Sequence, residues 1–322
     1  MSFLVRLPET SYRDDAIKNF TVNADFTLGN AQAMMWLSQL AYETDDDEAK
    51  KGDKIKRILP RLGLDFLAFG PNELIPGLLR RKACFIVASG HGATFVAFAG
   101  TDPLKPQDVI TDLVATQTTE SLHKGFADAV TSVQSRVEDA IRSGGAGQPL
   151  FLTGHSLGGA LATISAMRAR DNGFKVKAVY TYGGARAGGQ QFFDSYGPGL
   201  RSCTFRLVHG KDIVPSVPPS SVGGLLGSLL FEYRHVGRLV HCPQRSFFAE
   251  PAPTENDGNQ PDDFLAAGIN AAFDIFRRTP SLDILQKLDP RKLDDPNNAL
   301  PEQIRDHVPA SYFRALKMPL SP

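Results

Sequence analysis

The stretch Pro149-Leu150-Phe151-Leu152-Thr153-Gly154-His155-Ser156-Leu157-Gly158-Gly159-Ala160-Leu161-Ala162 decides how this chain is read. An apolar run enters a G-x-S-x-G sequence, and a run of small residues at helical positions leaves it. The five-residue pattern alone is weak; composition alone produces it in about one chain of this length in every five to ten. Set between a strand and a helix, it becomes a nucleophile elbow. There the chain turns so sharply that Ser156 is held at the bend with its hydroxyl exposed. A Cβ at either flanking glycine would crowd that turn.

A serine hydroxyl is a poor nucleophile. It needs a histidine to take its proton and a carboxylate to orient that histidine. After a strand–turn–helix elbow, the chain order is serine, acid, histidine. Arg206-Leu207-Val208-His209-Gly210-Lys211-Asp212 supplies a strand, a glycine and then Asp212. As a bare sequence, Gly-Lys-Asp also suits a simple turn. Three histidines follow it: His235, His241 and His307. His307 sits in Asp306-His307-Val308-Pro309, after a loop and before a terminal helix, where a chain segment can reach the sheet edge. His235 is the alternative base. His123, His155 and His209 precede the acid or are pinned in the elbow, and read as structural.

The tetrahedral intermediate of acyl transfer carries an oxyanion that needs preorganised donors. The backbone N–H of Leu157, next to the nucleophile, is one. Phe95-Val96-Ala97-Phe98-Ala99-Gly100-Thr101-Asp102 offers the other at Thr101.

The rest of the chain sets this motif in an alternating pattern. Residues 31–42 carry apolar side chains at helical spacing. Residues 83–87 and 93–99 read as two strands about a Ser89-Gly90-His91-Gly92 turn. Helical spacing runs through 114–140. Residues 150–153 form a buried strand, 159–170 a helix, 175–182 and 203–209 further strands, and 231–241 (FEYRHVGRLVH) one late strand. This predicts an α/β fold: a mostly parallel central sheet with helices on both faces. Residues 249–261 read as an exposed loop, 262–278 as an amphipathic helix and 290–301 as irregular chain. Because His307 lies beyond them, the whole of 1–322 is expected to be a single domain, with 243–303 a late excursion.

Composition sets the limits. The chain has 322 residues, 42% apolar and 22% charged, as in ordinary globular proteins. At this size about 75% of the unfolded surface is buried, so folding requires neither metal nor disulfide. Thirty-five basic and 35 acidic residues leave a net charge of +0. No global field draws in nucleic acid, and no basic stripe with interleaved aromatics is present. Cys84, Cys203 and Cys242 are too few and too odd for a disulfide framework. Two metal readings arise. In one strand His235 and His241 would share a face, but they lack a third ligand. The acidic run 45–48 reads more simply as a solvated helix start. No metal or organic cofactor is expected. The longest low-polarity run, 222–231, is too short to span a bilayer. Residues 1–10 lack the apolar core and cleavage site of a signal peptide, which points to the cytoplasm unless a leaderless route is used. Oligomeric state is not legible.

Taken together, these pieces resemble the class 3 lipases, the fungal-type triacylglycerol lipase family of the α/β-hydrolase superfamily. The resemblance covers 31–316. It rests on Ser38-Gln39-Leu40-Ala41-Tyr42, Phe98-Ala99-Gly100-Thr101, His123-Lys124-Gly125-Phe126 and the elbow. It rests also on Thr181-Tyr182-Gly183-Gly184-Ala185-Arg186-Ala187-Gly188, on 209–215 with the acid, and on Tyr233-Arg234-His235-Val236-Gly237. It implies a triad of Ser156, Asp212 and His307, with Thr101 and Leu157 as the oxyanion hole, and it assigns His235 to a non-catalytic position. It implies hydrolysis of lipid carboxylic esters; phospholipase A1, monoacylglycerol lipase and short-chain or aryl esterase share that mechanism. An inactive lipid-binding scaffold is the reading from another class. A lid is implied at 102–117, whose Leu104, Val109, Ile110 and Leu113 would face the nucleophile and meet a lipid–water interface. Residues 222–231 and 264–276 are candidates for an acyl groove, where each buried methylene contributes about 0.8 kcal/mol. Three features depart from the family pattern: Ala99 stands where an Arg is usual, Ala185 stands where a Pro is usual, and 243–303 is long.

Overall fold

The computed structural model describes residues 6–43, 52–70, 83–100, 121–145, 147–218, 221–222, 231–250, 289–318 and 320. The expected lid (102–117), Thr101, the acidic run 45–48 and the helix expected at 262–278 lie outside the described residues. So does most of both acyl-groove candidates.

The strands are β1 (Asp65–Phe69), β2 (Phe85–Gly90), β3 (Ala93–Phe98), β4 (Leu150–His155), β5 (Val176–Tyr182), β6 (Thr204–His209), β7 (Ser221–Val222), β8 (Phe231–Glu232) and β9 (Arg238–Cys242). The helices are α1 (Leu28–Leu40), α2 (Asp53–Arg61), α3 (Lys124–Ser143), α4 (Leu157–Asp171), α5 (Gln190–Ser202), α6 (Glu302–Arg305) and α7 (Pro309–Ala315). Seven strands make one sheet in the order β1-β2-β3-β4-β5-β6-β9. The first two pairings are antiparallel and the remaining four parallel. Antiparallel β2 and β3 need only a tight turn, and His91 (φ 50°) and Gly92 (φ 76°) supply the positive-φ pair that suits a twisted hairpin. Each parallel step needs a crossover, which α3, α4 and α5 provide between β3 and β6.

Two apolar layers sandwich the sheet. On one face Phe85, Val87, Val96, Phe98, Leu150, Leu152 and Val179 pack with α3, α4 and α5. On the other, Ile86, Phe95, Ala97, Phe151, Tyr180, Phe205 and Leu207 pack with α1, α2, α7 and the N-terminal Phe20 and Phe26. Alternate residues of each strand serve opposite faces, as the pleat requires. Burial on both faces explains why the central strands read as continuous apolar runs.

The late strand needs correction. Residues 231–241 do not form one strand: β8 pairs antiparallel with β7 in a separate two-stranded ribbon, and β9 joins the main sheet. Gly237 at φ 91° breaks the run, and a Cβ there would lie 2.5 Å from Thr204 Cγ2. His235 and His241 therefore do not share a strand face. His235 Nε2 lies 2.8 Å from the Pro215 carbonyl and His241 Nε2 lies 3.4 Å from that of Gly210. Among the described residues no three His, Cys, Asp or Glu side chains gather to hold a metal ion. Likewise, no helix there is long and apolar enough to cross a membrane. All three cysteines are buried thiols; burial pushes Cys203 and Cys242 up to about 11, away from thiolate reactivity.

Candidate active site

Ser156 joins β4 to α4 with no intervening loop. Its backbone sits at φ 61°, ψ −131°. This conformation costs an L-residue about 1–3 kcal/mol and persists only where the surroundings hold it. Those surroundings are explicit. A Cβ on Gly154 would lie 2.1 Å from the Gly158 carbonyl oxygen, and one on Gly158 would lie 2.3 Å from that of Phe98. The Ser156 N–H donates to the Tyr182 carbonyl at 2.9 Å. Small residues at 158–160 thus let α4 approach β3 and β5 closely and keep the bend sharp.

Asp212 follows β6 through a turn at Gly210 (φ 53°). His307 lies between α6 and α7, where Pro309 begins the last helix. The fold brings the three side chains into one line. His307 Nδ1 is 2.9 Å from Asp212 Oδ2, and His307 Nε2 is 3.0 Å from Ser156 Oγ. An ionised carboxylate only accepts, so Nδ1 carries the proton. The bare Nε2 then accepts from the serine hydroxyl. All three are buried: Ser156 is 0% exposed, His307 1% and Asp212 4%.

Burial alone would raise the Asp212 carboxyl. The facing His307 ring, its hydrogen bond, the Tyr312 hydroxyl and the Val214 N–H overcome that and hold it below the ordinary carboxylate value. Val214 N–H donates to Oδ1 at 2.9 Å and Tyr312 Oη donates to Oδ2 at 2.6 Å. Burial first, and then the Asp212 charge, push the Tyr312 phenol well up, so it remains a donor. Sequence reasoning missed Tyr312. The available signal was a tyrosine in the terminal helix: a buried tyrosine needs a partner for its hydroxyl. Gly183 belongs to the Thr181-Tyr182-Gly183-Gly184 motif, whose sequence does not reveal its role at the acid. At φ 55°, a Cβ there would lie 2.3 Å from Asp212 Oδ2 and 2.9 Å from both His307 Nδ1 and Tyr312 Oη. Only glycine leaves the acid its place.

The other expected residues are divided. Leu157 opens α4 directly after Ser156, in the first turn of the helix. Thr101 lies outside the described residues, though Gly100 beside it packs against the elbow. A Cβ on Gly100 would lie 2.9 Å from Ser156 Cβ. His235 stays at Pro215, away from the serine. His123 caps α3, accepting from Phe126 N–H at 3.4 Å and stacking on that ring at 3.8 Å.

Residues 95–222, which hold β3, the elbow and the acid, match the family described as Lipase (class 3). Over that segment the chain is similar to the class 3 lipases. A secreted mono- and diacylglycerol lipase of Fusarium solani is 36% identical over 117 residues, 35% of this chain and 32% of its own length. A chloroplastic phospholipase A1 of Arabidopsis thaliana, Igamma1, is 30% identical over 184 residues, 51% of this chain and 35% of its own. The chain thus spans about a third of the length of these curated relatives. Among solved structures, lipase II from Rhizopus niveus superposes with a TM-score of 0.53 at 20% identity, covering 73% of this chain and 90% of that one. A Rhizomucor miehei lipase propeptide complex gives 0.52 at 22% identity, covering 67% of each. These likenesses establish the α/β-hydrolase fold.

Proposed function

We propose that this chain, similar to the class 3 lipases over 95–222, is a serine hydrolase that cleaves carboxylic esters of lipids, with Ser156, His307 and Asp212 as its triad. The observation that carries the reading is the unbroken line Ser156 Oγ–His307–Asp212 at 3.0 and 2.9 Å, on a serine held at positive φ between strand and helix. Ser156 Oγ attacks the ester carbonyl carbon as its proton passes to His307 Nε2. Asp212 keeps the imidazole in the Nδ1–H form and balances the imidazolium. The oxyanion is met by the Leu157 N–H at the positive end of α4, joined by Thr101. His307 returns the proton to the leaving alcohol. Water then repeats the sequence on the acyl-enzyme and releases the fatty acid.

Acylglycerols are the proposed substrates, in keeping with the named activity of the Fusarium relative. A phospholipid headgroup is the second reading, favoured by the match to the plant phospholipase A1 over half of this chain. A fully buried Ser156 supports a cover that must move before a lipid enters, the role proposed for residues 102–117 at a lipid–water interface. The test is hydrolysis of emulsified triacylglycerol, diacylglycerol, monoacylglycerol and phosphatidylcholine by purified protein. Release of fatty acid from the acylglycerols supports the first reading, release from phosphatidylcholine alone the second. Release from none, in folded protein that also fails to react with a fluorophosphonate, leaves the scaffold reading.

A further inference from the structure

His155, one residue before the nucleophile, is buried and makes contacts that the elbow does not require. Its Nε2 lies 2.7 Å from the backbone carbonyl oxygen of His307, and its Nδ1 lies 2.8 Å from Tyr42 Oη. A carbonyl only accepts, so Nε2 carries a proton. Burial chiefly, and then the neighbouring His307 ring, hold His155 down to about 3, so near neutral pH it carries that proton alone. Nδ1 is then a bare lone pair that accepts the Tyr42 O–H. The His155 ring stacks on the His307 ring, with centroids 4.6 Å apart and planes at 27°. Tyr42 stands just after α1, and its hydroxyl meets the elbow where Gly100 passes. A Cβ on Gly100 would lie 2.5 Å from both Tyr42 Oη and the His155 carbonyl.

We infer that Tyr42 and His155 form a second relay behind the triad, in which the Tyr42 hydroxyl fixes the His155 proton on Nε2 and His155 holds the His307 backbone against Ser156. The inference rests on the proposed roles of Ser156, His307 and Asp212. Asp212 secures His307 through its side chain, and His155 secures the same residue through its main chain, so both ends of the base are fixed. His155 is a positioning residue: it touches the base, not the ester. Its charge state matters as well. When His307 takes the serine proton, the ring beside His155 becomes a cation. A neutral aromatic face tolerates that cation, whereas a charged one would repel it. The titratable groups facing His155 are Tyr42, His307, Tyr312 at 5.8 Å between ring centroids, and Asp212. Of these, the Asp212 charge favours a second proton on His155, and burial together with His307 outweighs it.

Two variants and one spectrum test this on the full chain. His155→Phe keeps a ring to stack on His307 and removes the N–H from the carbonyl. Tyr42→Phe removes only the hydroxyl. Because small misplacements at a reacting centre cost up to about a hundredfold, kcat on a p-nitrophenyl ester is expected to fall about 10- to 100-fold in His155→Phe and about tenfold in Tyr42→Phe. KM is expected to stay within about twofold of wild type. Nitrogen-15 NMR of the wild type should show His155 as the Nε2–H tautomer throughout pH 5–9. If His155→Phe does not fold, Tyr42→Phe and the wild-type spectrum still decide. An Nδ1–H or doubly protonated His155, or a Tyr42→Phe kcat within twofold of wild type while Ser156→Ala is dead, overturns the relay and leaves the triad standing. A wild type that neither turns over ester nor reacts with a fluorophosphonate overturns the triad, and the relay with it.

Discussion

Replacing Tyr312 with Phe isolates one hydrogen bond at the acid. The ring is fully buried, edge-on to Tyr182 at 6.0 Å and stacked with Phe248 at 6.2 Å, so Phe keeps its packing. What is lost is the hydroxyl that donates to Asp212 Oδ2 at 2.6 Å and accepts the His209 N–H at 3.3 Å. Among the described residues Asp212 has three donors, the others being Val214 N and His307 Nδ1, and its side chain is fully buried. A hydrogen bond to a buried charge contributes about 1.5–3 kcal/mol. If the transition state feels all of it, because the imidazolium there needs an ionised partner, kcat falls about 10- to 100-fold. The pH effect has a definite sign. The Asp212 carboxyl is held below its ordinary 3.8 in the fold. It therefore adds stability that is full above the unfolded value and drains as pH falls through the folded one. Losing Tyr312 moves the folded value up, so acid unfolding of Tyr312→Phe begins at a higher pH than in the wild type. Ester hydrolysis at neutral pH and a tryptophan-fluorescence acid titration read the two effects. A kcat within twofold of wild type together with an unmoved acid midpoint refutes the assignment of Tyr312 to Asp212.

Other perturbations separate the site from its scaffold. Gly183→Ala puts a methyl 2.3 Å from Asp212 Oδ2 at a backbone φ of 55°; the acid must shift by several tenths of an ångström, and kcat should fall about a hundredfold, read against a thermal melt that shows retained folding. Gly158→Ala drives a methyl to 2.3 Å from the Phe98 carbonyl and pushes α4 off β3; fluorophosphonate labelling of Ser156 should slow at least tenfold, and unchanged labelling would contradict the close-approach argument. Glu43, buried, accepts from Leu7 N–H at 2.7 Å and Tyr12 Oη at 2.8 Å and pairs with Lys54 at 2.5 Å. Glu43→Ala should therefore cost about 3–5 kcal/mol in urea unfolding, while kcat per folded molecule stays at the wild-type level. Because Ser156 is buried, the rate on a short-chain triacylglycerol should rise steeply as substrate passes its solubility limit; a smooth saturation curve across that limit would speak against a moving cover.

The strand–turn–helix bend at Ser156, the turn that places Asp212 after an apolar strand, and the mostly parallel α/β sheet were legible because each is a local signal. The elbow is a fixed spacing of glycines about a serine, and the acid a turn after an apolar strand. Several elements escaped, β1 and α5 among them. β1 is an edge strand, half-exposed on both faces and irregular between Phe66 and Ala68, so it shows no alternation. α5 carries Gly197 at φ 74° and then Pro198, which interrupt its helical period. The run 231–241 reads as continuous because its residue types suit a strand throughout; the glycine break at 237 is decided by contact with Thr204, far away in sequence. Tyr312 and the His155 contacts were hidden for the same reason. Each depends on which residues the fold brings together across gaps of 100 or more positions.

The central claim is that Ser156 is the nucleophile of a lipid ester hydrolase. Its most direct test is hydrolysis of p-nitrophenyl esters from C2 to C16 and of an emulsified triglyceride, wild type beside Ser156→Ala. Turnover that extends to long chains and triglyceride in the wild type and vanishes in folded Ser156→Ala is the predicted result. Turnover that survives in Ser156→Ala would contradict it.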